Sequence, residues 1–209
     1  MTATTRARRG RPGYDLPTLV ATSVKIFNDR GFDGTSMEDL SRGLGISKAA
    51  IYHHVKGKDA LLGLALDHAL VGLEAAADEV RALDAPALDR LEVLVRRSVE
   101  VLVDRLPYVT LLLRVRGNSP VERQALARRR HIDHLVGDLV KQAVLEGDLK
   151  PDIDPAVTAR LLFGLVNSLT EWLKVGRKHN VDELTNAVAT FAFDGLRTKA
   201  ASHAPQGRR

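Results

Sequence analysis

Apolar residues recur at helical spacing along nearly the whole chain, and no stretch shows the strict alternation typical of a half-buried strand. The first stripe is formed by Leu16, Leu19, Val20, Val24 and Phe27. Asp15 precedes this stripe as the expected N-cap, and Gly31 follows it where the helix should end. The pattern predicts an all-α fold.

Two short helices are predicted next, separated by a tight turn. Thr35 and Glu38 have the spacing of a capping box, so a helix should begin at Ser36 and end by Gly45. Ser47 is the expected N-cap of the following helix, and Gly45 supplies the left-handed backbone that the turn requires. Together with the first helix, this arrangement has the layout of a helix-turn-helix.

Longer helices are predicted after this pair, and most of them start at a proline or a capping residue. They run from Lys58 to about Leu83, from Pro86 to about Leu106, from Pro120 to near Gly147, from Pro155 to about Val175 and from Asn180 to about Leu196. Ser119 and Glu122 are expected to form a capping box before the third of them. We therefore expect a basic flexible arm at residues 1–14, a three-helix head at 15–60, a larger helical body at 61–198 and a disordered tail at 199–209.

Composition and charge narrow the function. The 209 residues include no cysteine, which excludes disulfides, thiol catalysis and thiolate metal sites, and the net charge is +5. Four arginines, Arg6, Arg8, Arg9 and Arg11, precede the first acidic residue, Asp15. This arm is either a solvated, disordered tail or a segment that follows DNA phosphates or enters a minor groove, with Arg9 and Arg11 as contacts. Neither a secretory signal nor an apolar run of roughly 18 residues is found, so we expect a cytoplasmic protein without a membrane partner.

The segment from Ser47 to Leu61 carries residue types that contact DNA. On a helix that starts at Ser47, Ile51 and Val55 share the buried side, and the opposite side projects toward solvent. The exposed residues are expected to be Lys48, Ala49, Tyr52 and His53.

Each of these positions suits a different part of the DNA. Small side chains at positions 49 and 50 would let the helix approach base edges closely, and Lys48 would reach a phosphate or a guanine acceptor. Tyr52 and His54 offer donors to phosphate oxygens. Lys58 lies at a helix N-terminus, where backbone N–H groups also favour a phosphate.

Over about residues 15–62 the sequence resembles the TetR family of regulators. The resemblance rests on the aromatic residue of the first helix, Gly31-Phe32, Thr35-Ser36 with the capping box, Gly45-Ile46-Ser47-Lys48, Ile51-Tyr52-His53-His54 and Lys58-Asp59-Ala60-Leu61. It implies DNA contacts at Ser36, Met37, Lys48, Ala49, Ala50, Tyr52, His53, His54 and Lys58.

The sequence departs from the family pattern at two positions. Val55 replaces the more usual aromatic residue, and Glu38 stands where some members carry a basic, base-reading residue. Base reading would then fall to the helix that starts at Ser47. The alternative is that the short helix pair is an ordinary packed corner in which Tyr52 is partly buried.

The resemblance also implies that the body forms a homodimer and encloses a small ligand, whose binding re-spaces the two heads. The helix from Pro155 to about Val175 is apolar around most of its surface, which indicates burial on more than one side, and we assign it and the last helix to the dimer interface. We expect the dimer interface at Leu161, Gly164, Leu165, Ser168, Trp172, Leu184, Val188 and Phe191. The alternative is that both helices simply complete the core of one protomer.

For the ligand, side chains on several body helices are candidates. The expected lining is Tyr108, Leu111, Leu112, Val115, Arg116, Arg128, Phe163, Asn167 and Trp172. Arg128 falls on the apolar stripe of its helix, where it would either meet an anionic group of the ligand or extend to water. The body is similar to TetR-family regulators of fatty-acid, steroid or aromatic-acid catabolism. Because these often respond to acyl-CoA thioesters, an acyl-CoA is the expected class of effector.

No cofactor, metal site or enzymatic activity is expected. His131 and His134 have a spacing that can chelate zinc, but no clear third ligand accompanies them. No catalytic signature surrounds any serine. The sequence therefore favours a homodimeric repressor that binds palindromic operator DNA and is released by a small effector. The rivals are an architectural, weakly sequence-specific DNA-binding protein and an enzyme whose body carries an appended DNA-binding head.

Overall fold

The computed structural model describes residues 15–175 and 180–196, and the chain divides into two compact units, residues 1–61 and 62–209. Over the described residues it consists of nine α-helices without a strand. The prediction of an all-α fold is confirmed. The basic arm at residues 1–14, with Arg9 and Arg11, and the tail at 199–209 lie outside the described residues.

The first unit is built on three helices and the start of a fourth. These are α1 (Leu16–Arg30), α2 (Met37–Leu44), α3 (Lys48–His54) and α4 (Lys58–Ala82), which continues into the second unit. Their shared core consists of Leu19, Val24, Phe27, Leu40 and Ile51, none more than 1% exposed. Each such side chain contributes about 1.5–3 kcal/mol through burial. A Cβ at Gly43 would come within 2.6 Å of Ile26 Cδ1, so α2 lies very close to α1 there.

The cap of α2 differs from the prediction by one residue. Ser36, not Thr35, is the N-cap, and its hydroxyl accepts from Asp39 N at 3.1 Å. The Asp39 carboxylate accepts from Ser36 N at 3.0 Å, so Asp39 takes the place predicted for Glu38. Thr35 is instead buried and donates its hydroxyl to Gly31 O at 2.7 Å. Both positions satisfied the capping rule, and the burial of Thr35 decides between them.

The second unit contains the rest of α4 and five further helices. They are α5 (Ala87–Asp104), α6 (Leu106–Arg114), α7 (Pro120–Glu146), α8 (Pro155–Trp172) and α9 (Val181–Phe193). Helix α5 is central, since it packs against α6, α7, α8 and α9. Its buried stripe includes Leu91, Leu94 and Leu102, each at most 1% exposed.

Helix α5 is shorter than predicted, and α6 was not predicted as a separate helix. The apolar period continues through Leu106, but α5 ends at Asp104. Pro107 occupies the first turn of α6, where the backbone N–H that a proline lacks would have no partner within the helix. Inside a continuing helix, a proline would remove a hydrogen bond and break the helix. The proline therefore starts a separate helix at the point where the predicted one ended.

Among the described residues, one helix, α4, has the length and the apolar composition that would allow it to cross a membrane. The core helix of a soluble protein passes the same test. Leu62, Leu66 and Leu70 are at most 1% exposed, so its most apolar side lies in the protein core.

Candidate DNA interface and effector site

The connection between α2 and α3 is a tight turn held by side-chain and backbone hydrogen bonds. Gly45 adopts φ +67° and ψ +26°, the left-handed conformation that the sequence predicts for the turn. The Ser41 hydroxyl donates to Ile46 O at 2.6 Å, and the Ser41 carbonyl accepts from Ile46 N at 3.2 Å. Ser47 then caps α3 by accepting from Ala50 N at 3.2 Å. These bonds fix the direction in which α3 leaves the turn.

Helix α3 presents one polar face to solvent. Ile51 and Val55 are buried, at 0% and 7% exposure, whereas Tyr52 is 52% exposed. The other exposed residues of α3 are Lys48, Ala49, His53 and His54. The partly buried Tyr52 of the packed-corner interpretation is therefore not what the structure shows. A short helix with small residues and donors on its open side has the form that enters a major groove.

Glu38, which was predicted to complete the α2 capping box, instead lies beside this face. Its carboxylate is 3.5 Å from Lys48 Nζ, with both side chains more than half exposed. An exposed pair of this kind contributes at most about 1 kcal/mol. Lys48 can therefore leave Glu38 for a phosphate or a base at small cost, while Glu38 lowers the attraction to any nearby phosphate.

Lys58 makes contacts within its own unit that the sequence did not predict. Its ammonium donates to Phe32 O at 3.2 Å and Thr35 O at 3.1 Å and lies 4.5 Å from the centre of the Phe32 ring. These contacts hold the loop between α1 and α2. Of the remaining predicted contacts, Ser36 is exposed but its hydroxyl serves the α2 cap, and Met37 is half-buried.

Helices α8 and α9 each bury one side in the protomer and leave apolar residues on the other. The predicted interface residues Leu161, Trp172 and Phe191 are 68%, 55% and 82% exposed. Gly164 and Ser168 are also exposed, and a Cβ at Gly164 would meet nothing within 4 Å.

The structure corrects one member of this predicted set. Val188 is 6% exposed, because it faces the core of its own protomer rather than the open side of α9. Leu165 and Leu184 are half-buried.

The second unit contains a small interior cavity next to a larger open groove. The cavity, about 30 Å³, is lined mainly by apolar side chains of α4, α5, α6, α7 and α8, including Leu102, Leu112 and Ile132. The groove, about 860 Å³, runs between α7 and α8. Four residues line both the cavity and the groove and form the boundary between them: Arg129, Asp133, Phe163 and Asn167.

Three of the predicted ligand residues, Leu112, Phe163 and Asn167, line the cavity, and the other six do not. Tyr108 stacks on His68 with ring centres 4.1 Å apart, and Leu111 is buried in the core. Val115, Arg116 and Trp172 line neither space. The backbone N–H of Arg116 donates to the buried Glu122 carboxylate, which also accepts from the next two residues.

Arg128 is the clearest correction among the predicted ligand residues. It donates from Nε and Nη2 to the two carboxylate oxygens of Glu74, at 2.8 and 2.7 Å, and also pairs with Asp67. Its charge is therefore already neutralised by α4, which leaves it no role as the anchor of an anionic ligand. The neighbouring Arg129 lines the cavity and the groove instead, and the sequence did not distinguish between these adjacent arginines.

Asp133 is the one acidic residue on the boundary between cavity and groove. Burial raises the pKa of its carboxyl, and the positive charges of Arg129, His134 and Arg130 oppose that rise. Among the residues that the structure describes, no three His, Cys, Asp or Glu side chains cluster closely enough to hold a metal ion.

Comparisons with known proteins agree with this architecture. The tetR family of bacterial regulatory proteins matches residues 19–65, and the tetracyclin repressor-like C-terminal domain matches residues 84–196. A solved structure of SCO3833, a member of the TetR transcriptional regulator family from Streptomyces coelicolor A3, is 47% identical with a TM-score of 0.81. The match covers 92% of this chain and 98% of that one.

Two further solved structures share the fold at lower identity. The ketosteroid transcriptional regulator KstR2 of Mycobacterium tuberculosis is 21% identical, with a TM-score of 0.79, over 90% of this chain and 98% of that one. AibR, solved in complex with isovaleryl coenzyme A and operator DNA, is 23% identical, with a TM-score of 0.70, over 85% and 97%. With both domain matches and the SCO3833 relationship together, the chain belongs to the TetR family of bacterial regulatory proteins.

Proposed function

We propose that this protein is a homodimeric transcriptional repressor that binds palindromic operator DNA through α3 and is released by an acyl-CoA thioester. The observation that carries the proposal is the exposed face of α3 with Lys48, Ala49 and Tyr52, held in a helix-turn-helix. Ala49 leaves room for base edges, while Lys48 and Tyr52 supply donors to bases and phosphates. His53 and His54 extend that donor face toward the end of the helix.

The homodimer is supported by the open sides of α8 and α9. Exposed Leu161, Trp172 and Phe191 form an apolar surface that a second copy would cover, and the small Gly164 and Ser168 permit close approach of helices. A two-fold axis between the copies would pair each patch with itself and present two heads to two half-sites. Such half-sites lie one helical turn (~34–36 Å) or a multiple of it apart.

The effector class is supported by the chemistry of the body. An apolar cavity that adjoins a groove with Arg129, Arg130, Lys141 and Arg160 suits a molecule with an apolar end and an anionic end. An acyl-CoA has both, and AibR, which shares the fold, was solved with isovaleryl coenzyme A. The effector can shift the protein away from the DNA-bound state only by its difference in affinity for the two states.

The test is binding to the DNA that flanks the protein's own coding region, measured by fluorescence anisotropy at fixed salt with and without a panel of acyl-CoA thioesters. The expected result is tight, sequence-selective binding that one thioester relieves. Selective binding unaffected by every thioester would contradict the effector class but keep the repressor. The same affinity for flanking and scrambled DNA would instead favour the architectural DNA-binding protein.

We place this activity in the cytoplasm, with no cofactor and no membrane partner. An enzymatic role for the body would require a turnover that a body substitution abolishes. The described residues present no catalytic constellation at the cavity: its polar side chains are Ser98, Arg129, Asp133 and Asn167. Of these, Ser98 donates its hydroxyl to Leu94 O, so it is not held by a base as a nucleophile would be.

A further inference from the structure

The groove between α7 and α8 brings together four cations, Arg129, Arg130, Lys141 and Arg160. Three other arginines of the body lie within 3.0 Å of a glutamate carboxylate: Arg96 pairs with Glu92, Arg97 with Glu79 and Arg128 with Glu74. In the described part of the chain, no salt bridge within 4.0 Å reaches Arg129, Arg130, Lys141 or Arg160, which line the groove. Four cations that line one groove without a carboxylate within 4.0 Å have the electrostatics of an anion site.

These four cations exceed the two carboxylates of the groove, which belong to Asp133 and Asp138. They lie on two facing helices, so an extended anion with several phosphates could contact both sides at once. One end of such a molecule would reach Phe163 and Asn167, which also line the interior cavity. The groove and the cavity are therefore adjacent and share one wall.

The size of the cavity limits what can enter it. A water-sized group needs roughly 10–15 Å³, so a cavity of about 30 Å³ admits two or three groups of that size. Phe163 is the largest side chain on the boundary. Its ring therefore sets how far an apolar chain can pass from the groove into the core.

We propose that the groove and the adjoining cavity together form a two-part site for a short-chain acyl-CoA, with the phosphates on the groove cations, the acyl group in the cavity and Phe163 as the residue that limits chain length. The proposal rests on the effector class given above and makes it specific. The amide of Asn167, at the boundary, is the donor placed to meet the thioester carbonyl. Acyl groups of two to four carbons fit without rearrangement, whereas longer chains must displace Phe163.

The test is isothermal titration calorimetry on the full chain without DNA, so that its outcome is independent of operator binding. The probes are coenzyme A, acetyl-, butyryl-, octanoyl- and palmitoyl-CoA, and free butyrate. We expect butyryl-CoA to bind at least tenfold more tightly than coenzyme A, since each methylene admitted contributes about fourfold. Palmitoyl-CoA should bind more weakly than butyryl-CoA, and free butyrate should not bind measurably.

Two variants separate the parts of the site. Phe163→Ala should move the preferred chain length to octanoyl-CoA, and Phe163→Leu, which keeps an apolar side chain, should move it less. Arg160→Gln should weaken all the thioesters by a similar factor of about ten without changing their order. Arg81→Gln is the matched control, because Arg81 is an exposed arginine of α4 paired with Asp78 outside the groove.

Four results would overturn the proposal. The first is tighter binding of palmitoyl-CoA than butyryl-CoA by the unmodified protein, and the second is an unchanged chain-length order in both Phe163 variants. The third is binding of free butyrate as tight as that of butyryl-CoA, which would leave the groove cations without a role. If none of the thioesters binds, the proposal is also overturned. Selective operator binding in the separate DNA assay would then still support the assignment as a repressor.

Discussion

Truncation of Leu161 tests whether the open side of α8 is a dimer interface. Leu161 is 68% exposed in the single chain, so most of its apolar surface is available to a partner. Leu145 on α7 is 73% exposed and lies outside the proposed interface, which makes Leu145→Ala a closely matched control. Both substitutions remove the same atoms from equally accessible helical positions. Only Leu161→Ala should weaken the dimer.

The expected size of the effect follows from the exposed fraction. Full burial of a leucine side chain contributes about 1.5–3 kcal/mol, so burial of the exposed two-thirds of Leu161 contributes about 1–2 kcal/mol. A two-fold interface contains the residue twice, which brings the loss for the dimer to about 2–4 kcal/mol. The dimer dissociation constant should therefore rise roughly 30- to 1,000-fold.

Sedimentation equilibrium over a concentration series measures that constant for the unmodified chain and both variants. The helical circular dichroism of all three should be the same, because neither leucine belongs to the protomer core. A Leu161→Ala protein that dimerises as tightly as the unmodified chain would refute the assignment. So would an equal loss in the Leu145→Ala control.

Three further predictions concern the DNA face and the body. Tyr52→Ala should weaken operator binding by the dimer roughly 30- to 1,000-fold, as expected for about 1–2 kcal/mol from one lost contact at each of the two heads, with an unchanged unfolding temperature. Unchanged affinity would remove Tyr52 from the interface. Glu38→Gln frees Lys48 and removes a negative charge near the phosphates, so operator affinity should rise several-fold and should fall more steeply as the salt concentration increases. Fluorescence anisotropy titrations at several salt concentrations measure the affinity and its salt dependence. The hydrogen bond from Arg128 lowers the pKa of Glu74 in the folded protein below its unfolded value. Its stabilisation is therefore complete above the unfolded pKa of about 4.3 and is lost as pH falls through the folded pKa. Urea unfolding between pH 3 and 7 should show a smaller acid-dependent loss of stability for Glu74→Gln, and an identical pH profile would show that the pair contributes nothing.

The sequence was most informative where local chemistry determines the structure. Asp15, Ser47 and Gly45 are capping or turn residues whose function depends on their immediate neighbours, and each lies where it was predicted. The buried and exposed sides of α3 also followed from helical spacing, because Ile51 and Val55 are the only large apolar side chains that could share a side.

Prediction was least successful where tertiary packing selects between adjacent residues. Thr35 and Ser36 both satisfy the rule for an N-cap, and only the burial of Thr35 identifies Ser36 as the cap. Arg128 and Arg129 are neighbours on α7, but α4 supplies carboxylates to one and the groove adjoins the other. A single sequence does not specify which helix packs against each side of α7, so it did not show that Arg128 pairs with Asp67 and Glu74 while Arg129 lines the groove.

Pro107 is the residue whose signal was available but not used. The predicted helix ended at about Leu106, directly before Pro107, and no helix was predicted between there and Pro120. A proline after a long apolar stripe favours the end of one helix and the start of another. Had it been given more weight, the separate helix α6, which contributes Leu112 to the cavity, would have been predicted.

Selection of binding sites from a random DNA library by the full-length protein tests the central claim most directly. The account predicts that a two-fold symmetric sequence is enriched, with half-sites one helical turn or a multiple of it apart. It also predicts that Lys48→Ala changes or abolishes the selected half-site. Enrichment of no sequence, or of the same sequence by the unmodified protein and Lys48→Ala, would contradict the proposal that α3 reads an operator.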